Sequence, residues 1–157
     1  MDVRWRAAQP AYDKAFELYH EPVTQAVLEA TLYLRNPTSG MSGRRFQIFI
    51  DLMGAPNQVH VRSFGDDYIV VATASVKPRI ADIRRAYLHY LLDPLMIRYR
   101  KNLDAKRGLG DLAQGSPILD DAYKSDFSLL ASMCLMKAVE ARMDRSMGGA
   151  AVQQAMR

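Results

Sequence analysis

Apolar side chains recur along this chain with two different periods. Between residues 11 and 34, Phe16, Leu18, Tyr19, Val23, Val27, Leu28, Leu32 and Tyr33 return at the spacing that lines a helix face. Pro22 has no N–H to give a helix interior, so the pattern predicts two short helices broken there. Asn36-Pro37-Thr38-Ser39-Gly40 is dense in turn formers and predicts a loop. From 46 to 72 the period drops to two. Phe46, Ile48, Ile50 and Leu52 alternate with Gln47, Phe49 and Asp51, and Val59 and Val61 alternate with His60 and Arg62. Tyr68-Ile69-Val70-Val71-Ala72 is apolar throughout, as suits a more deeply buried strand. Turn residues at 54–57 and 65–67 separate these runs, and a three-stranded, mostly antiparallel meander is the economical reading.

The helical period then returns. Pro78 suits the first position of a long helix over 78–100, carried by Ile80, Ile83, Tyr87, Tyr90, Leu91 and Leu95, with Pro94 expected to kink or end it near Leu92. Residues 101–115 are polar and hold Gly108, Gly110 and Gly115, which predicts a mobile connection. Ser116-Pro117 reads as an N-cap followed by a first-turn proline, opening a second long helix over 116–145, with Asp120 and Asp121 at its positive end. Its apolar set, from Leu119 to Ala141, is wide enough to imply burial on two sides. The expected fold is a single α+β domain: N-terminal helices, a small three-stranded sheet, then two long helices. The run 146–151 closes no convincing element, which is compatible with a piece of a longer protein.

Composition narrows the function classes. At 49% apolar and 24% charged, the 157 residues match an ordinary globular chain rather than a disordered one. No apolar run approaches the roughly 20 residues of a membrane span, and no secretory leader is visible, so the cytoplasm is the default expectation. Cys134 is the sole cysteine, which excludes intrachain disulfides and multi-cysteine metal sites; a buried, inert thiol is expected. The net charge of +4 is spread along the chain and interleaved with acidic residues. Gly108-Leu109-Gly110 lacks the strand-to-helix setting and spacing of a phosphate loop. His20 and His60 have no ligand partner at diagnostic spacing, and there is no nucleophile elbow.

One segment does carry a chemical signature in altered form. Ile83-Arg84-Arg85-Ala86-Tyr87-Leu88-His89-Tyr90-Leu91-Leu92-Asp93-Pro94-Leu95 resembles the active-site helix of gluzincin-type zinc metallopeptidases, which carries His-Glu-x-x-His after a small sheet. The resemblance extends over about residues 46–143 and implies a zincin-like core. It puts Arg85 in the first histidine's place, Ala86 in the glutamate's and His89 in the second histidine's. The motif works because positions i and i+4 share a helix face, so two imidazoles bind one Zn²⁺ beside a general base. A guanidinium offers a cation no lone pair, and an alanine accepts no proton. The family's third ligand, a glutamate from a downstream helix, falls on Met133. Recruiting Glu140 instead would mean a displacement of about 10 Å along the helix.

The resemblance therefore implies a catalytically inactive metallopeptidase-like domain with its zinc site lost, no cofactor, and vestigial positions Arg85, His89 and Met133. Peptide or protein is the implied partner, taken in the old cleft by an edge strand. The side chains alone also read as a plain polar helix edge, with Arg84, Arg85 and His89 near Asp82 or Asp93. Two other functions stay open. The pairs Arg44-Arg45 and Arg84-Arg85, with 98–101, could converge into a basic surface for an acidic protein or, less favoured, nucleic acid. A residual metal-dependent hydrolase would centre on His89 with an acidic residue such as Asp104 or Asp111.

Overall fold

The computed structural model describes residues 3–35 and 43–155, with side chains described for 5–35 and 43–144. In chain order the elements are α1 Val3–Tyr33, β1 Arg45–Asp51, β2 Val59–Phe64, β3 Asp67–Thr73, α2 Ile80–Arg98, α3 Arg100–Asp104, a 3-10 turn Arg107–Gly110, α4 Asp111–Gln114, α5 Asp121–Ser125 and α6 Phe127–Ala155. The chain is α+β. It gathers into two compact units, Met1–Leu88 and His89–Arg157, and the boundary falls inside α2. The loop expected at 36–40 lies outside the described residues.

In the first unit, α1 corrects two expectations. It is one continuous helix of 31 residues that passes through Pro10 and Pro22. Pro22 and Leu18 are both exposed, so water can take the Leu18 carbonyl that the proline leaves without its helical donor. Nor is the inward face the large-residue stripe. Ala15, Tyr19, Ala26 and Ala30 are buried, while Phe16, Leu18, Leu28 and Leu32 are exposed. Small residues let a helix backbone approach its neighbours closely, and Tyr19 packs with Ala72 and Ile83. Val23, Ile48, Ile50 and Val59 complete that cluster, so the even-numbered side chains of β1 point toward it.

The sheet is not a meander. Its order is β1-β3-β2, with β1 and β3 parallel and β2 and β3 antiparallel. β3 takes the centre because it is the most apolar strand, buried or half-buried at every position, whereas β2 exposes His60, Arg62, Ser63 and Phe64. β2 and β3 are joined by a two-residue turn in which Gly65 has φ +57 and Asp66 does not go positive, the type II′ pattern that matches strand twist. β1 instead reaches β2 by a segment, 52–58, that crosses the end of β3.

Thr73, at that end, holds the crossing in place. Its N–H donates to the Gln58 carbonyl (2.9 Å), its Oγ1 accepts from the Gln58 N–H (2.8 Å), and its own carbonyl accepts from the Tyr19 hydroxyl (2.9 Å). The Ala74 N–H donates to the Asp51 carbonyl at 2.8 Å, and the Asp51 carboxylate accepts from the Met53 N–H at 2.8 Å. A side chain at Gly54 would place its Cβ 2.7 Å from the Thr73 methyl, which is why glycine stands where the segment passes over.

In the second unit, the latter half of α2 contributes buried Tyr90, Leu91 and Leu92, and α6 contributes Leu130, Met136, Val139 and Met143. Pro94 does not end α2, which continues to Arg98. The expected mobile connection is instead built of α3, the 3-10 turn and α4. The expected start at Ser116 is also corrected. Asp120 caps α5 by accepting from the Ala122 N–H at 2.9 Å, and Asp126 breaks the helix and caps α6, accepting from the Ser128 and Leu129 N–H groups at 2.8 and 3.2 Å. Cys134 is exposed, not buried. Among the described residues, no helix is long and apolar enough to cross a membrane.

Candidate functional site

The helix α2, on which the metallopeptidase resemblance was drawn, starts just beyond Pro78, with the Asp82 N–H bonded to the Arg79 carbonyl. Ile83 and Leu88 are fully buried and Ala86 is 3% exposed, so these residues form its inward face. A glutamate at position 86 would bring a carboxylate into that packed face, at a desolvation cost that only a paired charge offsets. Arg85 stands on the adjoining face, half-buried, with a guanidinium nitrogen 3.8 Å from Asp82, and Asp82 also takes the guanidinium of Arg79.

His89 lies one turn beyond Arg85. Its Nδ1 is 3.3 Å from Asp93 Oδ1, an i,i+4 pair in which the imidazole donates when Nδ1 carries the proton. The Ser132 hydroxyl of α6 donates to the same Asp93 oxygen at 3.5 Å. That contact ties the turn holding His89 to the turn holding Met133, which is itself half-buried. Arg85 belongs to the first unit, and His89 and Met133 to the second. The polar edge expected from sequence, with Asp82 or Asp93 nearby, takes the form of Arg85 near Asp82 and His89 near Asp93. Ser132 was not singled out from sequence, because a serine at mid-helix gives no signal apart from the carboxylate it meets.

As donors, these positions amount to one imidazole. A thioether is a soft ligand better matched to Cu(I) than to Zn²⁺. Glu140, the alternative carboxylate, is buried on α6 with Lys137 Nζ 3.5 Å away. Asp104 and Asp111 end and begin short helices and are exposed. Among the described residues, no three His, Cys, Asp or Glu side chains stand together as a metal site requires. The basic residues are partly engaged as well: Arg45 makes a bidentate pair with Asp67, at 2.7 and 2.9 Å, which holds its guanidinium above its ordinary pKa.

The sheet offers a second kind of site. The Thr73 to Gln58 hydrogen bond fixes the phase of the antiparallel ladder, so His60, Arg62 and Phe64 turn their N–H and C=O groups to β3. Val59, Val61 and Ser63 therefore turn theirs outward, along an edge that no described strand covers. The Arg62 guanidinium folds back to donate to one of these groups, the Val61 carbonyl, at 2.9 Å. His60 is exposed beside it, bonded to the Gln58 side chain at 2.9 Å. Neither edge was resolved from sequence, because strand order cannot be read from alternation alone. Comparison with protein-family models, curated proteins and solved structures returned no match.

Proposed function

We propose that this chain is a catalytically inactive metallopeptidase-like domain that binds an extended polypeptide along the outer edge of β2. The observation that carries the reading is the substitution pattern on α2. On the resemblance, a guanidinium takes the place of the family's first imidazole and a buried alanine that of its general base, on a helix that follows a three-stranded sheet. Hydrolysis needs an activated water, and this chain's residues at those positions supply neither a complete ligand set nor a base.

Strand pairing needs no metal. The outward N–H and C=O groups at Val59, Val61 and Ser63 supply directional affinity, and exposed Arg62 favours a peptide with acidic side chains. Arg62 covers the Val61 carbonyl, which blunts the edge against self-association until a competing donor displaces it.

Two measurements test this. Metal analysis of the purified protein is expected to find far less than one zinc per chain; stoichiometric, tightly held zinc would overturn the reading. Binding to a library of extended acidic peptides is expected to weaken at least tenfold in Val61→Pro, which removes an outward N–H and no β2–β3 bond. Unchanged binding in a variant with wild-type circular dichroism would exclude this edge.

A further inference from the structure

We propose that the other edge of the sheet, β1, pairs antiparallel with β1 of a second copy of this chain, about a two-fold axis at Ile48. The phase of the parallel ladder is fixed at both ends: the Arg45 N–H donates to the Asp66 carbonyl at 2.9 Å, and the Asp51 carbonyl accepts from the Ala74 N–H at 2.8 Å. Odd-numbered residues of β1 thus serve β3, and the N–H and C=O groups of Ile48 and Ile50 point away from it. No described strand lies beyond them.

This edge differs in kind from that of β2. Its seven residues include no proline and no charge at the inward positions 46, 48 and 50, whereas the β2 edge has a guanidinium over its middle carbonyl, a device that keeps edges from pairing. A groove of about 390 Å³ runs beside it, lined by Tyr12, Phe16, Val23, Ile48, Phe49 and Ile50 among others, with Phe16 and Phe49 exposed. The groove leaves space next to α1 for the side chains of an added strand.

The occupant follows from charge. β1 begins with Arg45 and ends with Asp51, so a parallel copy in register would set arginine against arginine. An antiparallel copy centred on Ile48 sets Arg45 across from Asp51 of the other chain, twice by symmetry. Arg45 spends Nε and Nη2 on Asp67, and Nη1 is left to face the second carboxylate. Ile48 meets its own copy as a hydrogen-bonded pair, while Gln47 meets Phe49 at a non-bonded position where side chains come closest. Two three-stranded sheets would join into one of six strands.

Analytical ultracentrifugation of the whole chain is expected to show a concentration-dependent dimer. Ile48→Pro, which removes an outward N–H and spares the ladder to β3, is expected to sediment as a monomer with unchanged helix content. In case that variant does not fold, Gln47→Cys with Phe49→Cys in a Cys134→Ser background gives a second readout, a disulfide-linked dimer on a non-reducing gel. A wild-type chain that stays monomeric up to about 10⁻⁴ M, a dimer that persists in folded Ile48→Pro, or absence of the cross-link under oxidation would each overturn the proposal. The β2 edge is untouched by these substitutions, so the outcome is independent of peptide binding there.

Discussion

Thr73 and Tyr19 show how few polar groups hold the first unit in register. The Tyr19 hydroxyl donates to the Thr73 carbonyl, and Thr73 in turn fixes Gln58, so a side chain of α1 secures the end of the central strand and the crossing over it. Burial pushes the Tyr19 phenol above its ordinary pKa, against a smaller lowering by the Ser75 backbone N–H. A raised phenol pKa favours the protonated form in the fold. Its contribution is therefore fully present below the unfolded value of about 10 and is lost as pH rises through the folded value. Tyr19→Phe should cost about 1 kcal/mol at neutral pH through the lost hydrogen bond. It should also flatten the alkaline fall in stability. Urea melts at pH 7 and above pH 10 check both parts, and an alkaline limb as steep as the wild type's would show that another group is responsible.

At the scale of elements, the prolines in α1 and α2 make a separate point. Both helices continue through residues that cannot donate, which means tertiary packing outweighs a local cost of about 3 kcal/mol for proline in a helix interior. Pro22→Ala should recover part of that cost and raise stability by about 1–3 kcal/mol, read as a shift of the denaturation midpoint; a neutral or destabilising result would mean the ring's own packing offsets the helical gain. The same balance explains what sequence reasoning could reach. Period-two alternation located β1 and β2, and the uninterrupted apolar run of β3 located it and marked it as the most buried. Order was not legible, since the seven residues between β1 and β2 could as well have turned back on themselves as crossed the end of β3. The buried stripe of α1 was missed because alanine counts for little in an apolar pattern, yet Ala15, Ala26 and Ala30 are what allow close approach. Caps were half legible: Asp120 looked like a dipole partner and proved to be the cap itself.

At the scale of the whole molecule, the metallopeptidase-like reading rests on side chains that sequence alone could name but not orient. The polar edge they form along α2 was legible because i,i+3 and i,i+4 geometry is local; any relation between α2 and α6 is not. The resemblance requires positions 85, 89 and 133 to face a common space, and restoring the ligands tests that requirement directly. Arg85→His with Met133→Glu would return two imidazoles at helical i,i+4 spacing and one carboxylate from α6, the ligand set of a catalytic zinc site. Asp82 keeps Arg79 in the variant. If the proposed reading holds, the double variant retains about one zinc per chain through desalting and each single variant retains less, because two protein ligands hold zinc far more weakly than three. With Ala86 unchanged, no peptide cleavage should accompany the metal. A folded double variant that binds no more zinc than the wild type would mean that these three positions do not share a space, and the pattern on α2 would then be an ordinary polar helix face.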